Sequence, residues 1–412
     1  MDQATFDRVC RRLDTYRDRM IELQQELVRR PAIGPTSGGE GEAEKAAYLE
    51  GYLRARGITD IEDIRAPDPR VPTGYRPNLI ARIPGRDSSR TVWFMAHLAV
   101  VPAGDLGTWD GDPFQVRVDG DRLIGRGVED NHQGLVASVM AVQALAEEGV
   151  TPAHDVGLLL VADEETGSKF GLAHVVKEVD QLRPVDLVVV PDGGEPDGSL
   201  IEVAEKSILW IRFAVTGQTA HGSTPERGRN ATRAAAHLTV ALEELHERFG
   251  DRDPLFDPPG STFAPTKREA NVDNINTIPD KDVFYWDCRI LPGYDLKEVE
   301  AFIREKADEV AARFGVQVDI SYPQREVAAP PTAADAPVVE ALREAVEAVY
   351  GVKARPGGIG GGTVAAFLRR AGIPAAVWAR MEETMHGPNE SCLLSNLVGD
   401  AKVFAHLMLR GG

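Results

Sequence analysis

The chain has 412 residues, of which 43% are hydrophobic and 27% are charged, and this composition is typical of a folded globular protein. Its net charge of −18 at pH 7 disfavours nucleic acids and anionic membranes as partners. Because the length exceeds that of one ordinary domain, we expect two compact units.

The cysteine pattern and the N-terminal segment bear on the location of the protein. Cys10, Cys288 and Cys392 lie far apart and form no C-x-x-C pair, so we expect neither a disulfide framework nor a thiolate zinc site, and we predict a reducing, cytoplasmic environment. The first 20 residues carry charges throughout, unlike a signal peptide, and no apolar run has the length of a membrane span.

The first half of the chain alternates helical and strand patterns. Apolar residues at spacings of three and four over residues 6–27 predict an amphipathic helix that ends near Pro31. Residues 130–149 predict a second helix, which begins at an Asp and has one apolar face. The predicted strands are residues 76–85, 90–97, 154–165 and 185–194. This succession indicates an α/β fold with a mixed, mostly parallel sheet flanked by helices.

The pattern changes near Lys206, where strand segments and helices of a different type begin. We predict a smaller α+β unit with an antiparallel sheet, inserted into the first domain. The predicted division is a first domain formed by residues 1–206 and 327–412, with an inserted domain at residues 207–326.

Several residues with metal-binding side chains lie at predicted strand ends or in loops. In open α/β sheets these positions line the ligand crevice. Imidazole and carboxylate groups form the donor set that Zn²⁺, Mn²⁺ or Co²⁺ prefers. Taken alone, a residue of this kind is more often a structural or solvated group than a metal ligand. The candidates are His97, Asp130, Glu164, Glu165, Asp192 and His386.

Taken in order, the motifs "AHLAVVP", "GRGVEDNHQG", "ADEETGS", "VVPDGG" and "ETMHGPNE" resemble those of the co-catalytic zinc aminoacylases, dipeptidases and carboxypeptidases. That family includes succinyl-diaminopimelate desuccinylase, acetylornithine deacetylase and glutamate carboxypeptidase. The resemblance covers nearly the whole chain and implies a zinc-exopeptidase-like fold with two divalent ions, zinc first and cobalt or manganese as alternatives.

The resemblance also implies a role for each candidate. One ion would be held by His97 and Asp192, and the other by Glu165 and His386. Asp130 would bridge the two ions. Glu164 would be the general base, so that water cleaves an amide bond without a covalent intermediate.

The middle of the chain resembles the lid and dimerisation domain of the same family. His221 in "GQTAHGSTPERGRNA" would reach a catalytic site across a homodimer interface and stabilise an oxyanion. Asn276 in "INTIPD" and Arg289 in "DCRILPG" would bind substrate, and an Arg suits a carboxylate.

The glycine-rich segment "PGGIGGGTVAAFLRR" includes Gly361, Gly362 and Thr363. It lacks the Gly-Lys-Ser/Thr ending of a nucleotide-binding loop. Its main-chain N–H groups are suited to a substrate carboxylate, and a tight turn with close backbone packing is an equally good interpretation.

One position departs from the family pattern. Where the family has His-x-Asp, this chain has His97-Leu98-Ala99. The missing Asp would orient the imidazole, and its loss typically costs about 10–100-fold in metal affinity or activity. Two hypotheses follow: a working amidohydrolase for N-acyl-amino acids or small peptides in which water, a backbone carbonyl or another carboxylate supports His97, or a weakened or non-catalytic relative that binds metal and ligand.

Overall fold

The computed structural model describes residues 2–411, which form two compact units. Unit 1 comprises residues 2–203, 331–357 and 364–411, and unit 2 comprises residues 204–330 and 358–363. The glycine-rich turn thus groups with unit 2, which differs from the predicted division.

The α-helices are numbered in chain order. They are α1 (Gln3–Asp14), α2 (Arg17–Val28), α3 (Ala43–Arg54), α4 (His132–Glu147), α5 (Leu172–Glu178), α6 (Ala231–Ala241), α7 (Leu245–Arg248), α8 (Leu296–Phe314), α9 (Pro337–Tyr350), α10 (Ala365–Arg370) and α11 (Leu394–Leu409). Within residues 2–411, no helix combines the length and apolar character needed to cross a membrane.

The strands are numbered in the same way. They are β1 (Ile61–Asp63), β2 (Ala66–Pro67), β3 (Tyr75–Arg76), β4 (Leu79–Ile83), β5 (Asp87–His97), β6 (Arg117–Asp119), β7 (Arg122–Ile124), β8 (His154–Val161), β9 (Leu187–Val190), β10 (Leu200–Glu205), β11 (Ser207–Thr216), β12 (Ala220–His221), β13 (Thr262–Arg268), β14 (Thr277–Ile278), β15 (Lys281–Ile290), β16 (Gln317–Glu326), β17 (Arg355–Ile359), β18 (Ala375–Val377) and β19 (Ser391–Leu393).

A mixed sheet with the strand order β1-β4-β8-β5-β9-β18-β10-β17 organises the first unit. Its four central strands, β8, β5, β9 and β18, are parallel to their neighbours in that group. β4 and β10 pair antiparallel to the two sides of this group. The α/β class with a parallel centre is confirmed.

Helices cover both faces of this sheet, so its central strands are apolar on both sides. On one face Phe94 of β5 packs against Phe404 of α11, with ring centroids 4.8 Å apart. On the other face Trp93 and Met95 belong to a cluster with Leu172 of α5 and further residues of α10. This packing fixes the carboxyl ends of the central strands.

The N-terminal helix prediction requires a correction. The structure has two helices, α1 and α2, where the spacing predicts one. At the end of the first helix, the Thr15 hydroxyl donates a hydrogen bond to the Arg12 carbonyl oxygen at 2.7 Å. Tyr16 has φ −95° and ψ 6° and starts the second helix. The apolar stripe continues across the break and is buried from Phe6 to Leu27. The periodicity of apolar residues therefore gives no sign of the break between the two helices.

An antiparallel sheet with the order β13-β15-β11-β16 forms the centre of unit 2. β11 and β15 are in register from the pair Ser207 and Ile290 to the pair Thr216 and Lys281. Alternate residues of β11, such as Leu209 and Phe213, enter a core shared with helices α6 and α8, as the two-residue period of a strand requires. The unit therefore has the α+β character predicted for the middle of the chain.

Candidate metal centre

Three neighbouring parallel strands deliver the first group of candidate ligands. His97 is the last residue of β5, Glu164 and Glu165 follow β8, and Asp192 follows β9. Because β8, β5 and β9 are adjacent and parallel, their carboxyl ends meet at one edge of the sheet. The strand order thus explains why residues far apart in sequence share one site.

His97 lies among three carboxylates. Its Nε2 atom is 2.8 Å from Asp130 Oδ1, 3.4 Å from Asp192 Oδ1 and 3.8 Å from Glu164 Oε2. The imidazole is almost fully buried. His97 therefore faces both the predicted bridging residue and the predicted ligand of the same ion.

His386 approaches the other side of Asp130. Its Nε2 atom is 3.0 Å from Asp130 Oδ2 and 3.2 Å from Glu165 Oε2. The two oxygens of Asp130 thus face two different imidazoles, an arrangement that suits a carboxylate shared between two ions. The structure brings together all six predicted residues, and their individual roles stay predictions.

The donor set fits divalent metal ions. Ligand atoms of His97, Asp130 and Glu165 lie within 4.8 Å of one another, as do those of His97, Glu164 and Asp192. Within residues 2–411, the buried Oε1 atom of Glu165 has no hydrogen-bond partner, and a buried acceptor of this kind is normally satisfied. An ion beside Glu165 would supply the missing interaction, and imidazole with carboxylate is the chemistry that zinc, manganese and cobalt accept.

The substitute for the missing Asp at position 99 is the main chain of the same residue. The Nδ1 atom of His97 is 2.9 Å from the carbonyl oxygen of Ala99. A carbonyl oxygen only accepts, so it selects the tautomer with the proton on Nδ1 and leaves Nε2 as the metal-binding atom. Of the three kinds of support considered for His97, the structure contains the backbone carbonyl.

The turn that presents this carbonyl is itself held by buried polar groups. The ammonium group of Lys45 donates to the Leu98 carbonyl oxygen at 2.9 Å and lies 2.8 Å from His132 Nε2. Asn131 accepts a hydrogen bond from the His97 main-chain N–H at 3.3 Å, and its amide donates to Asp192 Oδ1 at 2.7 Å. Burial lowers the pKa of Lys45 to about 7.

The carboxylates of the centre differ in their pKa values. Burial, reinforced by neighbouring carboxylates, raises the pKa values of Glu164 and Asp192 well above the usual range, although His97 opposes the shift. Burial also disfavours the charged form of Asp130, but hydrogen bonds from His386 and His97 outweigh it and lower its pKa. Hydrogen bonds to Asp130 and Glu165 raise the pKa of His386 to about 10. Glu164 is thus the carboxylate most prone to hold a proton.

The direction of the Glu164 and Glu165 side chains depends on a tight turn. Glu164–Thr166 form one turn of 3₁₀ helix, and Asp163 before it has φ 61°. The Asp163 main-chain N–H donates to Glu42 at 3.1 Å, and both carboxylates contact the buried guanidinium of Arg76. The bend after β8 therefore begins at Asp163, and its support by Glu42 and Arg76 has no signal in the sequence motif.

Comparisons with known proteins identify the family of the chain. Residues 93–410 match the model of peptidase family M20/M25/M40. The chain belongs to this family. The resemblance found in the sequence is confirmed, and the protein is a metallohydrolase of the M20 peptidase and desuccinylase type.

Individual relatives of the M20 family cover almost the whole chain. An uncharacterized metallohydrolase of Methanococcus maripaludis is 38% identical and spans 95% of this chain and 99% of the relative. A succinyl-diaminopimelate desuccinylase of Cereibacter sphaeroides is 29% identical over 90% of this chain and 93% of its own. The crystal structure of human carnosine dipeptidase 1 is similar with a TM-score of 0.75, at 17% identity and 98% coverage of both chains, which shows the shared fold.

The substrate-binding candidates of this M20 protein lie in unit 2. His221 pairs with Thr277 in the β12–β14 ribbon, and the N–H of Gly222 donates to the Asn276 carbonyl at 2.6 Å. His221 and Asn276 therefore share one short structural element. The His221 side chain is exposed, and its Nδ1 atom is 2.7 Å from the Ser223 hydroxyl.

Arg289 lies beside the glycine-rich turn. Its guanidinium donates to Asp287 at 2.7 and 3.0 Å and to the Gly360 carbonyl at 2.9 Å. Gly361 and Gly362 follow in the turn, and the hydroxyl of Thr363 donates to Glu205 at 2.7 Å. Arg289 is thus fixed in place by hydrogen bonds, and the substrate-binding roles of all these residues stay predictions.

Proposed function

We propose that the protein hydrolyses the amide bond of an N-acyl-amino acid, in the manner of a desuccinylase or deacetylase, or of a small peptide, in the manner of a dipeptidase or carboxypeptidase. The observation that carries the proposal is the position of Asp130 between His97 and His386, at 2.8 and 3.0 Å, with Glu164 beside them. The similarity to a succinyl-diaminopimelate desuccinylase, and the fold shared with a dipeptidase, support the substrate class.

Two divalent ions are part of the proposal. His97 and Asp192 would hold one ion, Glu165 and His386 the other, and Asp130 would bridge them. Zinc is the first candidate, with cobalt or manganese as alternatives. Such ions polarise a carbonyl oxygen and lower the pKa of water toward neutrality, which supplies the nucleophile and the Lewis acid of amide hydrolysis.

Glu164 is the proposed general base. Its carboxylate takes a proton from the attacking water as the water oxygen bonds to the carbonyl carbon. The Glu164 carboxyl group then gives this proton to the leaving nitrogen as the C–N bond breaks, so the products are an amine and a carboxylic acid, which keeps the second proton of the water until it ionises. A pKa raised by burial suits a group that must both accept and return a proton near neutral pH.

Unit 2 supplies the remaining proposed roles. His221 would stabilise the oxyanion across a homodimer interface formed by this unit, and Asn276 and Arg289 would bind the substrate. Arg289 together with the turn at Gly361, Gly362 and Thr363 favours a substrate with a free carboxylate. The dimer and the cytoplasmic location stay predictions.

The alternative, a weakened or non-catalytic relative, was motivated by Ala99. The 2.9 Å contact between His97 Nδ1 and the Ala99 carbonyl oxygen weakens the reason for this alternative, because the imidazole already has a hydrogen-bond acceptor. A loss of activity would therefore need another cause.

Adjacent glutamates offer a matched pair of variants that separates the two proposed roles. Glu164→Gln should retain two bound ions and lose about 10²–10⁴-fold in kcat, as expected for a missing general base. Glu165→Gln should bind one ion less tightly by about 10–100-fold or more, since a proposed ligand is removed. Both variants and the wild type are assayed with N-succinyl, N-acetyl and dipeptide substrates and by metal analysis.

Two results would overturn the proposal. Wild-type protein loaded with zinc, cobalt or manganese that hydrolyses no substrate of this panel would favour the non-catalytic alternative. Unchanged turnover in Glu164→Gln would exclude Glu164 as the base.

A further inference from the structure

Two loops carry Asp130, the predicted bridging ligand, and His386, a predicted ligand of the second ion. Residues 126–130 precede α4 and end at Asp130, and residues 382–390 precede β19 and contain His386. Each loop also contains a fully buried glutamate, Glu129 in the first and Glu390 in the second. We name these two residues the carboxylate clasp.

Glu390 binds the loop of Asp130. Its Oε1 atom accepts the main-chain N–H groups of Glu129 and Asp130, each at 3.0 Å. Its Oε2 atom accepts the N–H of Gly127 at 3.0 Å and a guanidinium N–H of Arg126 at 2.7 Å. Both oxygens are therefore occupied by donors from the loop that ends at the predicted bridging ligand.

Glu129 binds the loop of His386 in return. Its Oε1 atom accepts the N–H of Glu382 at 2.5 Å, and its Oε2 atom accepts the N–H of Thr384 at 2.6 Å and lies 2.7 Å from the Thr384 hydroxyl. Arg126 adds bonds to the carbonyl oxygens of His386 and Gly387 at 3.3 and 3.2 Å. Each loop thus contributes the carboxylate that fixes the other.

His386 depends on this attachment more than His97 does. The His97 side chain is 1% exposed and lies at the end of a central strand, whereas the His386 side chain is 55% exposed and its backbone has φ 61°, a region that non-glycine residues rarely occupy. The surrounding loop must therefore set the position of the His386 imidazole. Burying two carboxylates is costly unless their hydrogen bonds are complete, and here those bonds converge on the two ligand loops.

We infer that Glu129 and Glu390 are positioning residues that set the distance between Asp130 and His386 and thereby the affinity for the second metal ion. This inference rests on the proposed two-ion function. It assigns to the clasp a selective effect: the ion held by Glu165, His386 and Asp130 should depend on it, and the ion held on the His97 side should depend on it much less.

The test is a zinc titration of the metal-free protein, with cobalt absorption as a second readout of coordination. Glu129→Gln and Glu390→Gln keep the side-chain shape but replace one accepting oxygen with an NH₂ group that faces N–H donors. The second zinc ion should bind about 10–100-fold more weakly in either variant, the range typical of groups that orient metal ligands. The first ion should keep its affinity within about threefold.

Asp186→Asn is the matched control. Asp186 is also buried and accepts the main-chain N–H groups of Thr91 and Arg183 at 2.9 Å each and the Trp93 indole N–H at 3.1 Å, but it precedes β9 at the end away from Asp192. It should lower the free energy of unfolding without changing either zinc affinity. Thr384→Val removes the hydroxyl contact to Glu129 together with two hydrogen bonds between that hydroxyl and the Ser391 main chain, and it keeps both carboxylates of the clasp. It therefore tests the clasp in case a Gln variant fails to fold.

The outcomes separate the two claims. Wild-type protein that binds fewer than two zinc ions contradicts the proposed two-ion function itself. Wild-type protein that binds two ions, together with clasp variants whose second-ion affinity is unchanged, overturns the inference alone. An equal weakening of both ions in the clasp variants and in Asp186→Asn would also overturn it, because it would indicate general destabilisation.

Discussion

Metal binding should release protons from the two histidines of the centre. His97 Nε2 lies 2.8 Å from Asp130, and His386 Nε2 lies 3.0 Å from it. Burial opposes the shift at His97, but attraction to Asp192 and the hydrogen bond to Asp130 raise its pKa well above the usual range, and hydrogen bonds to Asp130 and Glu165 raise the pKa of His386 to about 10. Both imidazoles therefore carry two protons at pH 7, whereas a metal ligand must offer a free nitrogen.

The number of protons follows from this geometry. Each ion displaces one imidazolium proton, so filling both positions at pH 7 should release at least about two protons, and the zinc affinities should rise as the pH increases from 6 to 8. The sign is fixed by the direction of the shifts: a raised histidine pKa makes the metal-free site bind protons more tightly, so lower pH opposes the metal.

Calorimetric zinc titrations in buffers of equal pH but different ionisation enthalpy measure the proton count. His386→Asn removes one imidazole and should lower the count by about one, while His221→Asn in unit 2 should leave it unchanged. A count near zero in the wild type, or zinc affinities that do not change between pH 6 and 8, would refute the assignment of both imidazoles as protonated partners of Asp130.

Two further substitutions test separate parts of the description. Ala99→Asp should increase zinc affinity by no more than about threefold. The main-chain carbonyl of residue 99 already accepts the hydrogen bond from His97, and the new buried carboxylate lacks a donor of its own. A gain of tenfold or more in calorimetry would show that the wild-type support is deficient. Burial raises the pKa of Asp400 to about 7 although Gln133 and Tyr350 donate to it, so this group contributes stability below pH 4 that is lost as pH rises to 7. Asp400→Asn does not ionise, and its urea-derived free energy of unfolding should rise relative to wild type between pH 5 and 8; a constant difference would contradict the burial argument.

The strand ends, and the grouping of candidate ligands at them, could be predicted from the sequence because buried parallel strands have a clear apolar pattern. The run that ends at His97 and the run before Asp192 both read as strands, and polar residues after such runs meet at one edge of the sheet. His386 lies 289 residues beyond His97, and its place came only from the order of motifs shared with the family. Local pattern alone contains no information about that contact.

The supports of the ligands could not be predicted, for physical reasons that differ from residue to residue. The acceptor for His97 is a main-chain carbonyl of Ala99, and every residue has such a group. Lys45 is a charged residue on a helix, where a solvated position is the normal expectation, yet its side chain is buried. Glu390 stands at the end of a recognised motif, but its bonds go to main-chain N–H groups of a distant loop.

Metal-dependent amide hydrolysis by the purified chain is the most direct test of the proposed function. Protein freed of metal by a chelator is assayed with N-succinyl-amino acids, N-acetyl-amino acids and dipeptides, and then again after stepwise addition of Zn²⁺, Co²⁺ or Mn²⁺. The proposed two-ion centre predicts no turnover without metal and restored hydrolysis of at least one substrate as the ions bind. Turnover that persists in the chelator, or its absence from every substrate when two ions are bound, would contradict the proposed function.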